Sequence, residues 1–193
     1  MNRQEYHLDF RLMAYSYKIR DFIYPRKRVL EETGILKGFK VLDFGCGPGS
    51  YLVPLSEMVG ESGKIYALDF HPLAIKKINE LAARKKIKNV TAILSDGKIE
   101  LPDKCLDAVL LYDTFHVLSN PEEVLKEIHR TLKHNGILSF NDHHLDHEEI
   151  MIRITRSNLF KLLNIGYKTY SFIPVIHDSK SIVTLFGNEL SVL

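Results

Sequence analysis

The sequence predicts an α/β protein in which a mostly parallel sheet carries helices on both faces. Three observations support this class. Apolar runs of strand type alternate along the chain with segments of helical periodicity, which is typical of parallel sheets with crossover helices. A glycine-rich turn follows the first strand-type run, and an acidic residue stands at the end of five successive runs.

Composition limits the classes of function. The 193 residues and the 45% hydrophobic content suit one sizeable domain. With 26 Lys and Arg against 24 Asp and Glu, the formal charge of +2 does not call for a nucleic-acid or membrane partner. No uncharged apolar run reaches the length of a membrane span, and no signal peptide is evident. Two cysteines offer no disulfide framework, so a reduced, cytoplasmic protein is expected.

Residues 1–38 are basic and rich in aromatic side chains. Phe10, Met13, Tyr17 and Tyr24 recur at helical spacing, which predicts an amphipathic helix before Pro25. A second helix is expected over residues 26–32, before Gly34. The segment is interpreted as a helical cap on the core, or as a lid that contributes side chains such as Tyr17 to the site.

Residues 41–50 form the first strand and the glycine-rich turn. Gly45, Gly47 and Gly49 allow positive φ angles, and a helix with Leu52, Leu55 and Val59 on one face, ending at Gly60, should follow. Such a turn leaves backbone N–H groups bare at the N-terminus of the helix, where an anionic group can bind. The dinucleotide pattern requires glycine or alanine where Ser50 stands, and Asp43 is unusual for that pattern.

The remaining elements follow in alternation. Strands are predicted at residues 64–70, 90–94, 106–112 and 137–141, the last after an Asn135-Gly136 turn. Helices should begin at Pro72, with Ile75, Ile78 and Ala82 inward, at Pro121, and after Asp146, where Glu149 completes a capping box. A hairpin around Gly166 should close the sheet. The strand ends carry Asp43, Asp69, Asp96, Asp113 and Asp142, and ligands bind at this edge of parallel sheets.

From about Lys40 to Ile173 the chain resembles the class I S-adenosylmethionine (SAM)-dependent methyltransferases, in particular the group that includes the ubiquinone/menaquinone C-methyltransferases. Residues 41–49 match the first motif, residues 65–70 match the second-strand motif with its terminal acid, and residues 101–103, 107–109, 115–117 and 127–133 match the run through the fourth strand and the next helix. The resemblance implies a Rossmann-like fold with a seven-stranded sheet whose last strand is antiparallel. His134-Asn135-Gly136 replaces the usual Pro-Gly-Gly.

The resemblance also implies roles for individual residues. The loop of Gly45, Cys46, Gly47 and Gly49 would hold the methionine part of SAM, and Asp43 its ammonium group. Asp69 would accept hydrogen bonds from the ribose hydroxyls, for which a carboxylate has two acceptor oxygens. The adenine would lie beside Phe70 and meet Asp96 and Gly97, while Tyr112 would line the site near the methyl group.

The acceptor end is harder to predict, because methyl transfer requires a base only when the acceptor must lose a proton. His116 and His143, with Tyr112, are the candidate catalytic residues, since histidine can take a proton near neutral pH. His143 and His147 lie one helical turn apart, but no third ligand is evident, so no metal is assigned.

The expected protein is a single domain, with a cap over residues 1–38, a SAM-binding core over 39–173 and an extension over 174–193. It should convert SAM into S-adenosylhomocysteine while methylating a small-molecule acceptor, as a monomer or homodimer. The alternatives are RNA or protein methylation and a SAM-binding module without catalysis. The helix that begins at Pro72 and the loop after it carry a group of basic residues, which are expected to form a solvated surface. They are Lys76, Lys77, Arg84, Lys85, Lys86 and Lys88.

Overall fold

A computed structural model describes residues 26–176 together with Leu12, Tyr15 and Tyr17. Seven strands form one sheet in the order β3-β2-β1-β4-β5-β7-β6. They are β1 (Lys40–Phe44), β2 (Lys64–Asp69), β3 (Val90–Leu94), β4 (Leu106–Tyr112), β5 (Leu132–Asn141), β6 (Phe160–Ile165) and β7 (Tyr170–Pro174). Strands β1 to β5 pair in parallel, and β7 is antiparallel to both β5 and β6, as predicted.

Five helices accompany the sheet in the described part of the chain. They are α1 (Arg26–Glu31), α2 (Leu52–Val59), α3 (Pro72–Lys85), α4 (Pro121–Thr131) and α5 (His147–Thr155), with a 3-10 turn at Phe115–Val117. The capping box at α5 is present, since the Asp146 carboxylate accepts from the Glu149 N–H and the Glu149 carboxylate accepts from the Asp146 N–H. None of the described helices has the length and apolar character needed to cross a bilayer.

The core lies on both faces of the sheet, because successive strand residues point to opposite sides. On β4, Ala108 and Leu110 join the cluster under α1, α2 and α3, while Val109 and Leu111 join the cluster under α4 and α5. This explains why β4 is a nearly continuous apolar run, as expected for a strand covered on both faces.

One local prediction was wrong. Strand β5 begins at Leu132, so the Asn135-Gly136 pair lies inside the strand at an irregularity in its pairing with β4, where Leu106 pairs with Leu132 and Ala108 with Ile137. On α3, which begins at Pro72 as predicted, Ile78 and Ala82 are buried and Ile75 is half-buried, and Ala74 is a further buried residue.

The hairpin of β6 and β7 is fixed to the end of α1. The Glu32 carboxylate accepts hydrogen bonds from the backbone N–H groups of Lys168 and Thr169 and from the Thr169 hydroxyl, each at 3.0 Å. A Cβ on Gly166 would collide with that carboxylate, so a larger residue there would displace Glu32 from these hydrogen bonds. The helix predicted before Pro25 lies outside the described residues, apart from Leu12, Tyr15 and Tyr17. The end of the chain beyond residue 176 also lies outside them.

Candidate active site

The candidate site lies along the edge of the sheet where β1 to β5 end, as expected for ligands of parallel sheets. All five predicted acids lie at or just beyond these strand ends. They divide into two groups. Asp43 and Asp69 belong to the side formed by β1 and β2, whereas Asp113 and Asp142 belong to the side formed by β4 and β5. Asp96, after β3, is exposed.

The glycine loop after β1 is a tight turn held by its own backbone. Gly45, Gly47 and Gly49 have φ angles of 78°, 51° and 91°, which confirms the need for positive φ. A Cβ at Gly45 would lie 2.2 Å from the Thr114 hydroxyl oxygen, and one at Gly49 would lie 3.0 Å from Ile78. The loop therefore has no room for side chains at these two positions.

Within the loop itself three backbone N–H groups are paired, whereas the bare N–H groups were predicted where the loop enters the helix. The Gly45 and Cys46 N–H groups donate to the Leu68 carbonyl at 2.8 and 3.0 Å, and the Gly47 N–H donates to Asp69 Oδ2 at 2.8 Å. Residues of the neighbouring strand β2 thus accept the hydrogen bonds of these loop N–H groups, and buried backbone groups require such partners. An anionic ligand group would not find these three donors open.

Two acids with raised pKa values lie beneath the loop. Asp43 is 4% exposed, and burial, together with the nearby charge of Asp69, raises its pKa to about 7. Burial also raises the pKa of Asp69, although hydrogen bonds from the His71 and Gly47 N–H groups oppose this effect. Two neighbouring buried carboxylates disfavour each other's ionisation, so this pocket suits a ligand that carries positive charge.

The other predicted cofactor residues lie in the loop or follow β2 and β3. Phe70 follows β2 with 58% of its surface exposed, so one apolar ring is open to a ligand. Gly97, with φ of 124°, follows the exposed Asp96. Cys46 is buried, and its thiol has a raised pKa because of that burial, so it belongs to the core under the loop. Tyr17 Cε2 lies 3.9 Å from where a Cβ on Gly47 would stand.

Tyr112 points into the core. Its hydroxyl is 2.7 Å from the Ser139 hydroxyl, and its ring lies 5.0 Å from the ring of Tyr51. Burial raises the pKa of Tyr112 well above its ordinary value, so the phenol keeps its proton and is not suited to act as a base.

His116 forms a pair with Asp142, which the spacing of 26 residues did not predict. His116 Nδ1 is 2.9 Å from Asp142 Oδ2, and the His116 backbone N–H donates to the same oxygen at 3.0 Å. The Asp142 side chain is fully buried, whereas the His116 side chain is 24% exposed. A carboxylate at Nδ1 selects the tautomer in which Nε2 can accept a proton.

His143 forms a second pair, and a third histidine lies between the two. His143 Nδ1 is 2.8 Å from Asp113 Oδ1, at the end of β4. The His144 ring centroid is 3.9 Å from that of His116 and 4.0 Å from that of His143. His144 was not among the site residues predicted from the sequence. Its position in an Asp-His-His run directly after a buried strand could have indicated it.

The His143–His147 pair considered in the sequence does not form. His147 Nδ1 is instead 3.2 Å from the Tyr170 hydroxyl, and the two rings lie 5.7 Å apart. The basic residues on and after α3 are all exposed, as predicted.

The sheet order, the glycine turn and the acid that ends β2 together define a class I SAM-dependent methyltransferase. A family model described as "Methyltransferase domain" matches residues 35–171, and the chain belongs to that family. SAM is accordingly the cofactor of this enzyme class, and the buried acids under the glycine-rich loop fit a ligand with a cationic sulfonium and ammonium.

Individual relatives agree with the family. The demethylmenaquinone methyltransferase of Geobacillus stearothermophilus is 33% identical over 113 residues, which are 58% of this chain and 48% of that protein. The enzyme of the same name from Staphylococcus aureus is 33% identical over 58% of this chain and 46% of its own length. The chain thus spans about half the length of these curated relatives. A SAM-dependent methyltransferase from Aquifex aeolicus, solved by crystallography, is 28% identical with a TM-score of 0.73, over 84% of this chain and 98% of that one.

Proposed function

We propose that this protein transfers the methyl group of SAM to a small-molecule acceptor that carries an ionisable hydroxyl group, with His116 as the base. The observation that carries this proposal is the His116–Asp142 pair, in which a fully buried carboxylate holds a partly exposed imidazole at the acceptor end of the sheet. An acceptor that had no proton to lose would need no such pair.

On the cofactor side, the protein's contribution is placement and charge. SAM, when bound, supplies a methyl group activated by the adjacent sulfonium. Asp43 is proposed to hold the ammonium group, Asp69 the ribose hydroxyls, and Phe70 the adenine face. Gly45, Cys46, Gly47 and Gly49 would border the methionine part, and Asp96 with Gly97 the adenine edge.

On the acceptor side, His116 is proposed to take the proton. Asp142 at Nδ1 leaves Nε2 as the acceptor of the hydroxyl proton, and the carboxylate stabilises the imidazolium that forms. As the electron pair of the ionised acceptor forms a bond to the methyl carbon, the methyl–sulfur bond breaks and its electron pair stays on sulfur. Where the new bond forms at a ring carbon, that carbon then loses its own proton to solvent and the ring becomes aromatic again. Alignment of the three atoms in one line is then the main task of the surrounding residues.

Tyr112 is proposed to pack beneath the site rather than to act as a base, because its ring lies in the core and its phenol stays protonated. His143 remains a candidate for contact with the acceptor. Tyr17, which approaches Gly47, supports the proposal that residues 1–38 cover the site above the core of residues 39–173.

The acceptor is proposed to resemble demethylmenaquinone, for which the matched relatives are named, in a reduced form that carries hydroxyl groups. Val117, beside His116, is 62% exposed, so apolar surface lies next to the polar group proposed as the base. Such a mixture suits an aromatic acceptor with a hydroxyl group. RNA and protein acceptors are the alternative, to be distinguished by assay.

The first test is calorimetric titration of the purified chain with SAM, S-adenosylhomocysteine and NAD. We expect saturable binding of both adenosyl compounds and none of NAD. The second is transfer of a labelled methyl group from SAM to a reduced demethylmenaquinone analogue, with bulk tRNA and unfolded protein in parallel. Label in the quinol alone supports the proposal. SAM binding without transfer to any acceptor would favour a binding module, and label in tRNA or protein would overturn the choice of acceptor.

A further inference from the structure

We propose that Asp113, Asp142 and His143 bind a divalent transition-metal cation at the outer end of β4 and β5. Each residue offers one ligand atom, and these atoms all lie within 4.8 Å of one another. No metal was assigned from the sequence, because the helical spacing of His143 and His147 offered no third ligand. The fold instead brings together residues from two neighbouring strand ends, so the expectation of no metal is replaced by this proposal.

The distance between two of the ligand atoms already matches that around an ion. Asp113 Oδ1 and His143 Nδ1 are 2.8 Å apart. Two ligands at right angles around an ion with bonds of ~2.1 Å lie about 3.0 Å apart. A cation can therefore take the place of the proton between these atoms after a rotation of the two side chains, with the imidazole proton moving to Nε2.

Asp142 is held in place by bonds that leave acceptor capacity. Its Oδ2 accepts from the His116 N–H and pairs with His116 Nδ1, and its Oδ1 accepts from the His144 N–H at 3.1 Å. An ionised carboxylate has about four acceptor positions. Three are occupied by these contacts, and the fourth is sufficient for a cation. His116 then acts as the partner that orients a metal-binding carboxylate.

The site is reachable from solvent. The His143 side chain is 65% exposed and that of Asp113 is 18% exposed, whereas that of Asp142 is buried. A buried ligand at the base and exposed ligands at the rim give the ion a path of entry, which a metal site requires.

The ligand set indicates the kind of metal. Carboxylate oxygens alone would suit Ca²⁺ or Mg²⁺, whereas the imidazole nitrogen favours Mn²⁺, Co²⁺ or Zn²⁺. Three protein ligands leave coordination positions open to water or to an acceptor oxygen, and a bound cation would make that hydroxyl easier to ionise. This role towards the acceptor rests on the proposed function, but binding of the cation does not.

The test measures cation binding without SAM or acceptor. The full chain, stripped of metal with a chelator, is titrated with Mn²⁺ while free Mn²⁺ is followed by electron paramagnetic resonance. We expect saturation at one ion per chain and tighter binding of Mn²⁺ and Zn²⁺ than of Ca²⁺. Asp113→Asn and His143→Gln should each weaken Mn²⁺ binding about 10- to 100-fold. Asparagine is chosen because it tolerates the φ of 48° at position 113.

His147→Gln is the matched control, since it removes a neighbouring exposed histidine that contacts Tyr170. Its Mn²⁺ affinity should stay within about twofold of the wild type. Thermal unfolding and SAM calorimetry of the three variants establish that each is folded. Absence of saturable Mn²⁺ and Zn²⁺ binding by the wild type would overturn the proposal, as would equal affinity in all three variants. Neither result would bear on methyl transfer, which the labelled-methyl assay measures separately.

Discussion

At the ends of β1 and β2 the site is formed by backbone geometry, whereas at the ends of β4 and β5 it is formed by side chains that pair across strands. The first region, which we call the loop side, consists of residues 43–49 with Asp69. The second, the histidine side, consists of Asp113, His116 and residues 142–144. Both lie on the same edge of one sheet, yet they tolerate change in different ways.

On the loop side, the chain turns within a few residues at positive φ angles, and close contacts with neighbouring segments leave little choice of residue. Gly45 faces Thr114 so closely that any side chain would collide. On the histidine side, the partners are 26 and 30 residues apart, and most are polar groups with exposed surface. We therefore expect the loop side to couple binding to stability, and the histidine side to affect chemistry with less effect on the fold.

The sharpest test of this comparison is His116→Asn. An asparagine amide can still donate to Asp142 from near the position of Nδ1, but it has nothing at the position of Nε2. We expect kcat to fall about 10²- to 10⁴-fold, the usual contribution of a general base. SAM affinity and the unfolding temperature should change little, and both are measured on the same preparation.

The control is His134→Asn. It changes an exposed histidine that contacts Lys104 near the start of β5, away from the carboxyl ends of the strands. Its kcat should equal that of the wild type. A His116→Asn enzyme with full kcat would remove the base from the mechanism, and one with weakened SAM binding would show that the two sides are not separate.

On the loop side, Gly45→Ala should lower both stability and SAM binding. The φ of 78° costs a residue with a Cβ about 1–2 kcal/mol, and the collision with Thr114 adds about 1–3 kcal/mol. Urea unfolding measures the loss of stability, and SAM calorimetry measures the loss of SAM affinity.

Gly38→Ala separates the two costs. Gly38 has φ of 85°, but a Cβ there would be 3.6 Å from its nearest neighbour, the Ser62 hydroxyl. This variant should therefore show the backbone cost alone and bind SAM normally. Equal destabilisation by the two substitutions would contradict the importance of the Thr114 contact.

The same contrast explains how much the sequence could predict. The glycine turn, the strand ends and the capping box at Asp146 are local patterns, and the structure confirms each of them. The hydrogen bond from Gly47 to Asp69 was not predicted, because it depends on how β2 lies beside β1 and joins residues 22 positions apart.

The histidine side was predicted as a set of residues but not as pairs. A strand order of β1-β4-β5 places residues 113 and 143 side by side, and no spacing within the sequence reveals that. Helical periodicity instead suggested His143 with His147, which Tyr170 contacts in the structure. Local rules thus predict where a site lies, while pairing between distant residues decides its chemistry.

A smaller effect is expected for Asp69→Asn, which tests the ribose contact. The carboxylate accepts from Gly47 and His71 through different oxygens, and an amide can keep only one of these bonds. SAM affinity should fall by about 1–3 kcal/mol, since a charged hydrogen-bonding partner is lost. Asp103→Asn, at a side chain that is 70% exposed and contacts Arg130, is the control. Unchanged affinity in Asp69→Asn would mean that this residue does not hold the ribose.

The smallest effect expected is a dependence of SAM binding on pH through Asp43. Because its pKa in the free protein is raised to about 7, Asp43 is mostly protonated at pH 6 and mostly ionised at pH 7.5. Because the folded pKa of Asp43 lies above its unfolded value, the protonated carboxyl stabilises the free fold, so stability without SAM should decrease as the pH rises towards 7 and level off above it. The ammonium of SAM favours the ionised carboxylate, so affinity should increase roughly eightfold from pH 6 to pH 7.5. Calorimetry at both values measures this ratio. Asp43→Asn should bind SAM more weakly with a nearly flat profile, and a persistent slope in that variant would assign the titration to another group.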